Sequence, residues 1–471
     1  MGEILDSVNR FVWGFPAMIL IVIVGVLLSI RTRAVQFRLF PAAIRTFFRS
    51  FLKKQDKNGV SPYRALCTAL AATVGTGNLA GVGGAIAIGG PGAIFWMWIC
   101  ALLGMVTKFA EVTLSVHYRV KDRKGNYIGG PMYIVQQGLS AKWRPLAIFY
   151  CVFGVIAAFG IGSATQVNAV IGGINSAVRA FGGRESTNNN IILGIALAIL
   201  TTLVLLGGAK RIGSVASFLV PFASVFYILL CIVVLILRSY AVPQAFGAII
   251  RGAFSPEAVT GGVLWSVFQT LRIGASRGIF TNEAGMGTAG IAHSAAQVNH
   301  PVEQGLMGII EVFIDTIVIC TMTGLVILCS GISVPYGQDL GIQITSGAFS
   351  AVFGSWITVP LAISLCCFAI ATIIGWGLYG MRCVQFLVGE RAFHLFVIMQ
   401  GISVVLGSVI GTGDIWALSE AANGLMVIPN LLVLLFMIPE LTSIIKEYES
   451  IYGSRSANGG TYENFKQSKS M

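Results

Sequence analysis

Charge is what this sequence has least of. Only 11% of its 471 residues are Asp, Glu, Lys or Arg, where a water-soluble chain carries roughly 25%, so the polar material needed to coat a soluble surface is absent. Acidic residues are the scarcer sign, 19 against 31 basic, and histidine occurs 4 times. His117, His293, His300 and His394 fall near the ends of apolar runs with no metal-ligand spacing. The 9 cysteines lie in or beside apolar runs without paired spacing, and read as small packing residues. No GxSxG nucleophile stands in a strand–turn–helix context. The N-terminus carries Glu3 and Asp6 where a signal peptide would be basic, so its apolar run reads as a retained span. The net charge of +12 is spread over short clusters between apolar runs, a pattern of membrane orientation and not of nucleic-acid binding.

What is present is apolar: 55% hydrophobic residues and 57 glycines without a collagen-like period. A membrane span needs about 20 apolar residues. The pattern predicts eleven spans, near 12–30, 66–88, 92–117, 145–178, 190–208, 214–237, 260–294, 304–330, 355–380, 393–411 and 416–438. Alternate loops separate the basic residues into twenty-three on one side and five on the other, with Lys108, Arg272 and Arg277 inside spans. Positive residues accumulate on the cytoplasmic side, which puts the N-terminus outside and the C-terminus inside.

Eleven is one plus twice five. The second and seventh spans are the most interrupted by glycine, at Gly75–Asn78 and at Gly274–Gly278. They lie five spans apart and so enter from opposite faces, as the first members of two inverted repeats would. The organisation expected is an N-terminal helix and basic cytoplasmic segment over 1–65, a first five-helix repeat over 66–238, and an external interfacial linker over 239–258. A second, inverted repeat over 259–440 and a polar cytoplasmic tail over 441–471, disordered after Tyr448, complete it.

A helix broken inside a bilayer leaves N–H and C=O groups that cost several kcal/mol each unless a ligand, ion or water takes them. At Gly75–Asn78 the free N–H groups of the second half-helix suit a carboxylate, and the free carbonyls ending the first suit Na⁺ or an ammonium group. An amino-acid zwitterion would be met at both ends. The alternative is that these glycines only permit close packing. Gln166 and Asn168 are amides in an apolar span, either ligand partners or helix–helix hydrogen bonds. Thr372 offers a hydroxyl and Trp376, one turn on, an indole wall; each fits a core as well as a site. Lys108 and Glu111, three apart, suggest a local ion pair. Arg277 and Glu283 flank the second interruption and could pair across an inner gate. Glu311 and Asp315 are either proton carriers or the counter-charges of Arg272 and Arg277.

The runs ALAATVGTGNLAGV, GGPGAIFWMW, LLGMVTKFAEVTLSVHYR, GGPMY, SRGIFTNEAGMGTAGIAHSAA, HPVEQGLMGIIEVFIDT and NGLMVIPNL, between residues 61 and 435, together resemble the alanine/glycine:cation symporter family. The resemblance implies an all-α polytopic membrane protein with a leucine-transporter-like fold, five plus five inverted helices after one extra helix. It implies a transporter without enzymatic activity or cofactor, taking a small neutral amino acid into a prokaryotic cell with Na⁺ as coupling ion and acting as a monomer in the lipid bilayer. Proton coupling, or specificity for glutamine, are the alternatives. Carried over residue by residue, Gly75, Thr76, Gly77 and Asn78 would hold the substrate carboxylate, with Gln166, the second break at Gly274, and Trp376 completing the pocket. Carbonyls of Ala71, Val74 and Phe368 and the hydroxyl of Thr372 would hold sodium. This chain departs from the family pattern at Ala371, where a serine is usual, at Met381 in GMRC, and at Gly290, where a proline is usual. A channel or membrane-embedded enzyme would need a continuous polar lining or an acid–base cluster, and neither pattern occurs in the sequence.

Overall fold

The computed structural model describes residues 7–9, 12–13, 16–52, 59–255, 267–338, 340–410 and 413–458. These are almost wholly helical. An apolar helix α1 (Pro16–Arg31) leads into an amphipathic helix α2 (Phe40–Leu52), whose Phe40 packs edge-on against Phe313 at 5.1 Å. Next come α3 (Pro62–Thr73) and α4 (Val82–Gly89), two halves of one span bent by 50°. The start of α3 is fixed by Pro62 at the first helical position and by Ser61, whose hydroxyl accepts from the Arg64 N–H at 3.2 Å, the usual N-terminal cap.

After α5 (Ala93–His117), a hairpin of β1 (Val120–Lys121) and β2 (Tyr127–Ile128) turns on Asp122. Then follow α6 (Pro131–Gly138), α7 (Arg144–Phe159), α8 (Thr165–Ala180), α9 (Thr187–Leu205), α10 (Gly208–Leu237) and α11 (Val242–Phe254). A π-helical turn at Gly160–Ala164 joins α7 to α8, and α11 packs on α5 through Phe95–Phe254 and Trp98–Phe246. The chain continues through α12 (Val267–Asn282), α13 (Thr288–His293), α14 (Pro301–Val312) and α15 (Thr321–Cys329), with a π-helical turn at Phe313–Cys320 between the last two. The final elements are α16 (Gly341–Phe353), α17 (Thr358–Val388), α18 (Phe393–Gly407), α19 (Gly413–Phe436) and α20 (Ile438–Asn458). At the centre, α5 packs against α1, α12, α13 and α14, while α17 packs against α3, α7, α8 and α10.

Among the described residues eight helices are long and apolar enough to cross a membrane, and the bent pair α3–α4 makes nine. The two remaining expected spans are weaker. One is α1, whose apolar stretch Ala17–Arg31 is short; the other is the seventh, 260–294, where 256–266 lie outside the described residues and α12 carries Arg272 and Arg277.

Two sequence expectations need correction. The break of the seventh span is not at Gly274–Gly278, where α12 is continuous, but at 283–287. Gly274 instead allows close approach to α5, since a Cβ there would stand 2.7 Å from the Trp96 Cβ. The helix does not stop at Tyr448: α20 is described to Asn458, with Leu441, Ile444, Ile445 and Tyr448 forming a buried stripe at helical spacing along its first part, and 459–471 lie outside the described residues.

Candidate functional site

The first break begins where α3 runs out. Val74 leaves the helical region (φ −77°, ψ 103°), and a π-helical turn at Gly77–Gly81 starts the second half. The N–H of Gly75 donates to Asn78 Oδ1 at 2.8 Å, so a side chain three residues on holds the turn. Asn78 is itself anchored, its amide donating to Asp315 Oδ1 at 2.7 Å.

Three further groups converge here. Thr76 donates to Gln166 Oε1 at 3.0 Å, and the Gln166 amide donates to the Ile161 carbonyl at 3.0 Å. That bond is available because the π-helical turn in which Ile161 lies departs from the ordinary helical ladder. Thr372 on α17 faces Gly75: a Cβ at Gly75 would lie 2.8 Å from the Thr372 Oγ1 and 3.9 Å from the Gln166 Oε1. Thr372 is 2% exposed and its hydroxyl has no hydrogen-bond partner. A buried hydroxyl without a partner is costly, and one beside the free carbonyl end of a helix is suited to a cation. Ala71, Val74 and Phe368, whose carbonyls the sequence assigned to sodium, are all fully buried. Gly77 lies against Phe280 and Thr281 of α12, which brings the end of the second broken span up to the first break.

The second break, residues 283–287, differs in kind. Glu283 has φ 53° and is 4% exposed. Its Oε2 accepts from the Thr288 hydroxyl at 2.6 Å and its Oε1 from the Trp376 indole N–H at 2.9 Å. Both oxygens are satisfied without the Arg277 pairing suggested by the sequence, and Trp376 ties α17 to the second break. Around them lie buried charges whose partners the sequence did not reveal. Lys108 pairs with Glu311 at 3.1 Å and not with Glu111, while His293 reaches Glu311 at 3.0 Å and Gln304 at 2.5 Å. Glu311 is thus balanced by Lys108, and Asp315 is held by Asn78 and by the Thr316 hydroxyl at 2.8 Å. The Asn168 amide donates to the Ile410 carbonyl at 3.4 Å, a contact from α8 to the turn that follows α18.

Two breaks facing one another, one surrounded by neutral groups with Asp315 bound to its Asn78 and one lined by buried carboxylates, are the arrangement of a secondary transporter. The fold agrees with that of MhsT, a transporter of the leucine-transporter fold solved in complex with L-phenylalanine, with a TM-score of 0.59 over 81% of this chain and 90% of that one at 14% identity. The chain belongs to the sodium:alanine symporter family, whose sequence model matches residues 1–459. It is 38% identical to the sodium/alanine symporter AgcS of Methanococcus maripaludis over 97% of this chain and 99% of that protein. It is 34% identical to the probable sodium/glutamine symporter GlnT of Bacillus subtilis over 95% and 91%. It is a multi-pass membrane transport protein.

Proposed function

We propose that this protein carries a small neutral amino acid into the cell together with Na⁺ by alternating access, with the first break as the substrate site. The observation that carries the reading is the orphaned Thr372 hydroxyl facing Gly75. With the carbonyls of Ala71, Val74 and Phe368 it offers neutral oxygens only, the donor set a hard monovalent cation favours over a proton. The N–H groups at Thr76 and Gly77 take the substrate carboxylate at the positive end of the second half-helix, with the Asn78 N–H given to the Gly75 carbonyl at 3.2 Å and its side chain holding the turn. Gln166 supplies an uncharged partner at the same depth, and Trp376 lies one turn beyond Thr372 on α17. Arg277 and Glu283 stand on the side that must open inward. Alanine is the substrate favoured by the likeness to AgcS, and glutamine the alternative raised by GlnT.

The inverted-repeat organisation, the outside N-terminus, the cytoplasmic C-terminus and a monomeric working unit belong to the same reading. A second reading, proton coupling, draws on one observation: the Asp315 carboxylate touches Asn78 inside the break. Uptake of labelled alanine, glycine, serine and glutamine into proteoliposomes under a Na⁺ gradient or a proton gradient alone separates the two. Accumulation driven equally by protons without sodium would sink the sodium site. Orientation is checked by impermeant thiol labelling at Asn189→Cys, expected from outside, and Lys124→Cys, expected only from inside. Seven of the nine native thiols are buried, which keeps the background low.

A further inference from the structure

The backbone of the second break has a chemical meaning of its own. φ is positive at Glu283 (53°), Gly285 (94°) and Gly287 (77°), an alternation that turns the N–H groups of Gly285 and Gly287 to one side as a concave nest for an anion, while the Met286 N–H between them bonds the Glu283 carbonyl. The N–H groups of Gly285 and Gly287 both donate to one atom, Oε1 of Glu111, at 2.9 and 3.0 Å. That oxygen also accepts from the Asn430 amide at 2.7 Å, and the same amide donates to the Gly285 carbonyl at 2.9 Å. Glu111 belongs to α5 and Asn430 to α19, so one carboxylate oxygen joins the break to two separate helices. Glu111 is 1% exposed; its Oε1 takes three donors, the kind of contact an oxyanion strengthens, while its Oε2 has no hydrogen-bond partner. The nest is shaped for this purpose by a position that refuses a side chain, since a Cβ at Gly287 would stand 2.6 Å from the Asn430 Oδ1.

We propose that the Gly285/Gly287 nest is an anion site which the protein fills with its own Glu111. Glu111 is thereby a positioning residue for transport: it keeps the substrate carboxylate out of the second break and sets the geometry from which that break moves. The inference rests on the reading of the chain as an amino-acid symporter. The neighbouring acids have other partners: Glu283 is held by Thr288 and Trp376, and Glu311 by Lys108 and His293. Shortening the side chain therefore empties the nest, and a small monovalent carboxylate or halide from solution is the chemical class that refills it.

The test is purified Glu111→Ala, compared with wild type in gluconate, formate and chloride media. Without a small anion its uptake rate is expected to fall by about tenfold or more, while amino-acid affinity, set at the first break, changes by less than about threefold. Formate should restore a large part of the rate and raise the melting temperature of the variant but not of the wild type, because a ligand that binds the folded state stabilises it. Loss that is the same with and without formate, in a variant with an unshifted melting temperature, would overturn the proposal. If Glu111→Ala does not fold, Glu111→Gln decides: an amide fills the nest without charge, so reduced uptake with no response to formate is expected, and wild-type turnover would refute the anion site. Wild-type vesicles in the same experiment test the other reading. Failure to take up any amino acid would sink the symporter, while the formate effect on melting temperature would still report on the nest.

Discussion

The two broken spans solve one problem in opposite ways. Both interrupt a helix in a medium that cannot hydrate the exposed peptide groups. At the first break neutral groups surround the gap, the Asp315 carboxylate being bound by the Asn78 amide and the Thr316 hydroxyl, and the Thr372 hydroxyl is left unpaired. At the second the protein supplies carboxylates from Glu111 and Glu283, each with hydrogen-bond donors in place. The backbone N–H groups therefore differ in their partners: those of Gly285 and Gly287 are taken by Glu111 Oε1, while the first break leaves a side-chain hydroxyl unpaired beside the end of α3. A glycine-interrupted span is therefore not by itself a binding site; the satisfaction of its backbone groups decides.

Substitutions can break this contrast or sharpen it. The largest effect is expected from Gly75→Ala, whose new methyl would lie 2.8 Å from the Thr372 hydroxyl. Overpacking of this kind costs about 1–3 kcal/mol, enough to cut amino-acid binding by up to about a hundredfold, and equilibrium binding to the purified variant measures it. Retained affinity would mean that the first break is not the site. Gln166→Ala comes next: losing a hydrogen bond to a charged ligand group costs about 1.5–3 kcal/mol, an affinity loss of roughly ten- to a hundredfold with the fold intact. Full affinity with a lowered melting temperature would assign Gln166 to helix packing.

Thr372→Ala removes the side-chain oxygen that remains once Ala371 stands where the family usually has serine. The sodium concentration for half-maximal uptake should rise about tenfold, or 1.4 kcal/mol; unchanged sodium dependence would rule the site out. Smallest for binding is Trp376→Phe, which strips the indole donor from Glu283. A buried acceptor left unpaired costs about 1–3 kcal/mol of stability, seen as a lower melting temperature, with affinity changed by less than about threefold. A larger loss of affinity than of stability would place the indole against the substrate and merge the two breaks into one pocket.

The first break was legible in the sequence because Gly75, Gly77 and Asn78 interrupt an otherwise apolar run, and α3 ends at Thr73. The second was misplaced by about ten residues. Gly274 and Gly278 have the same spacing whether they loosen a helix or let it approach another, and here they face α5. The useful signal lay further on, in Gly285 and Gly287 two apart beside an acid, a pattern for alternating left-handed residues and not for helix packing. Side-chain partners across the fold were the least readable. Lys108 and Glu111 are neighbours on one helix face, yet Lys108 reaches Glu311 and Glu111 reaches the second break, distances of about two hundred positions or fewer that no local spacing encodes. The register of eight apolar spans was easier, since length and hydropathy suffice for them.

The packing of α12 on α5 bears on how the protein is made. Val267–Asn282 is 16 residues long and carries Arg272 and Arg277, and a translocon charges about 2.5–3.5 kcal/mol for each arginine at the centre of an isolated span. The two arginines therefore weigh against insertion of this stretch into lipid without a neighbour. Gly278 opens α12 to Met97 and Cys100, at 3.4 and 3.5 Å from its would-be Cβ, on a helix synthesised well before it. A segment of this kind is expected to insert by docking on α5, which is synthesised before it and against which it packs.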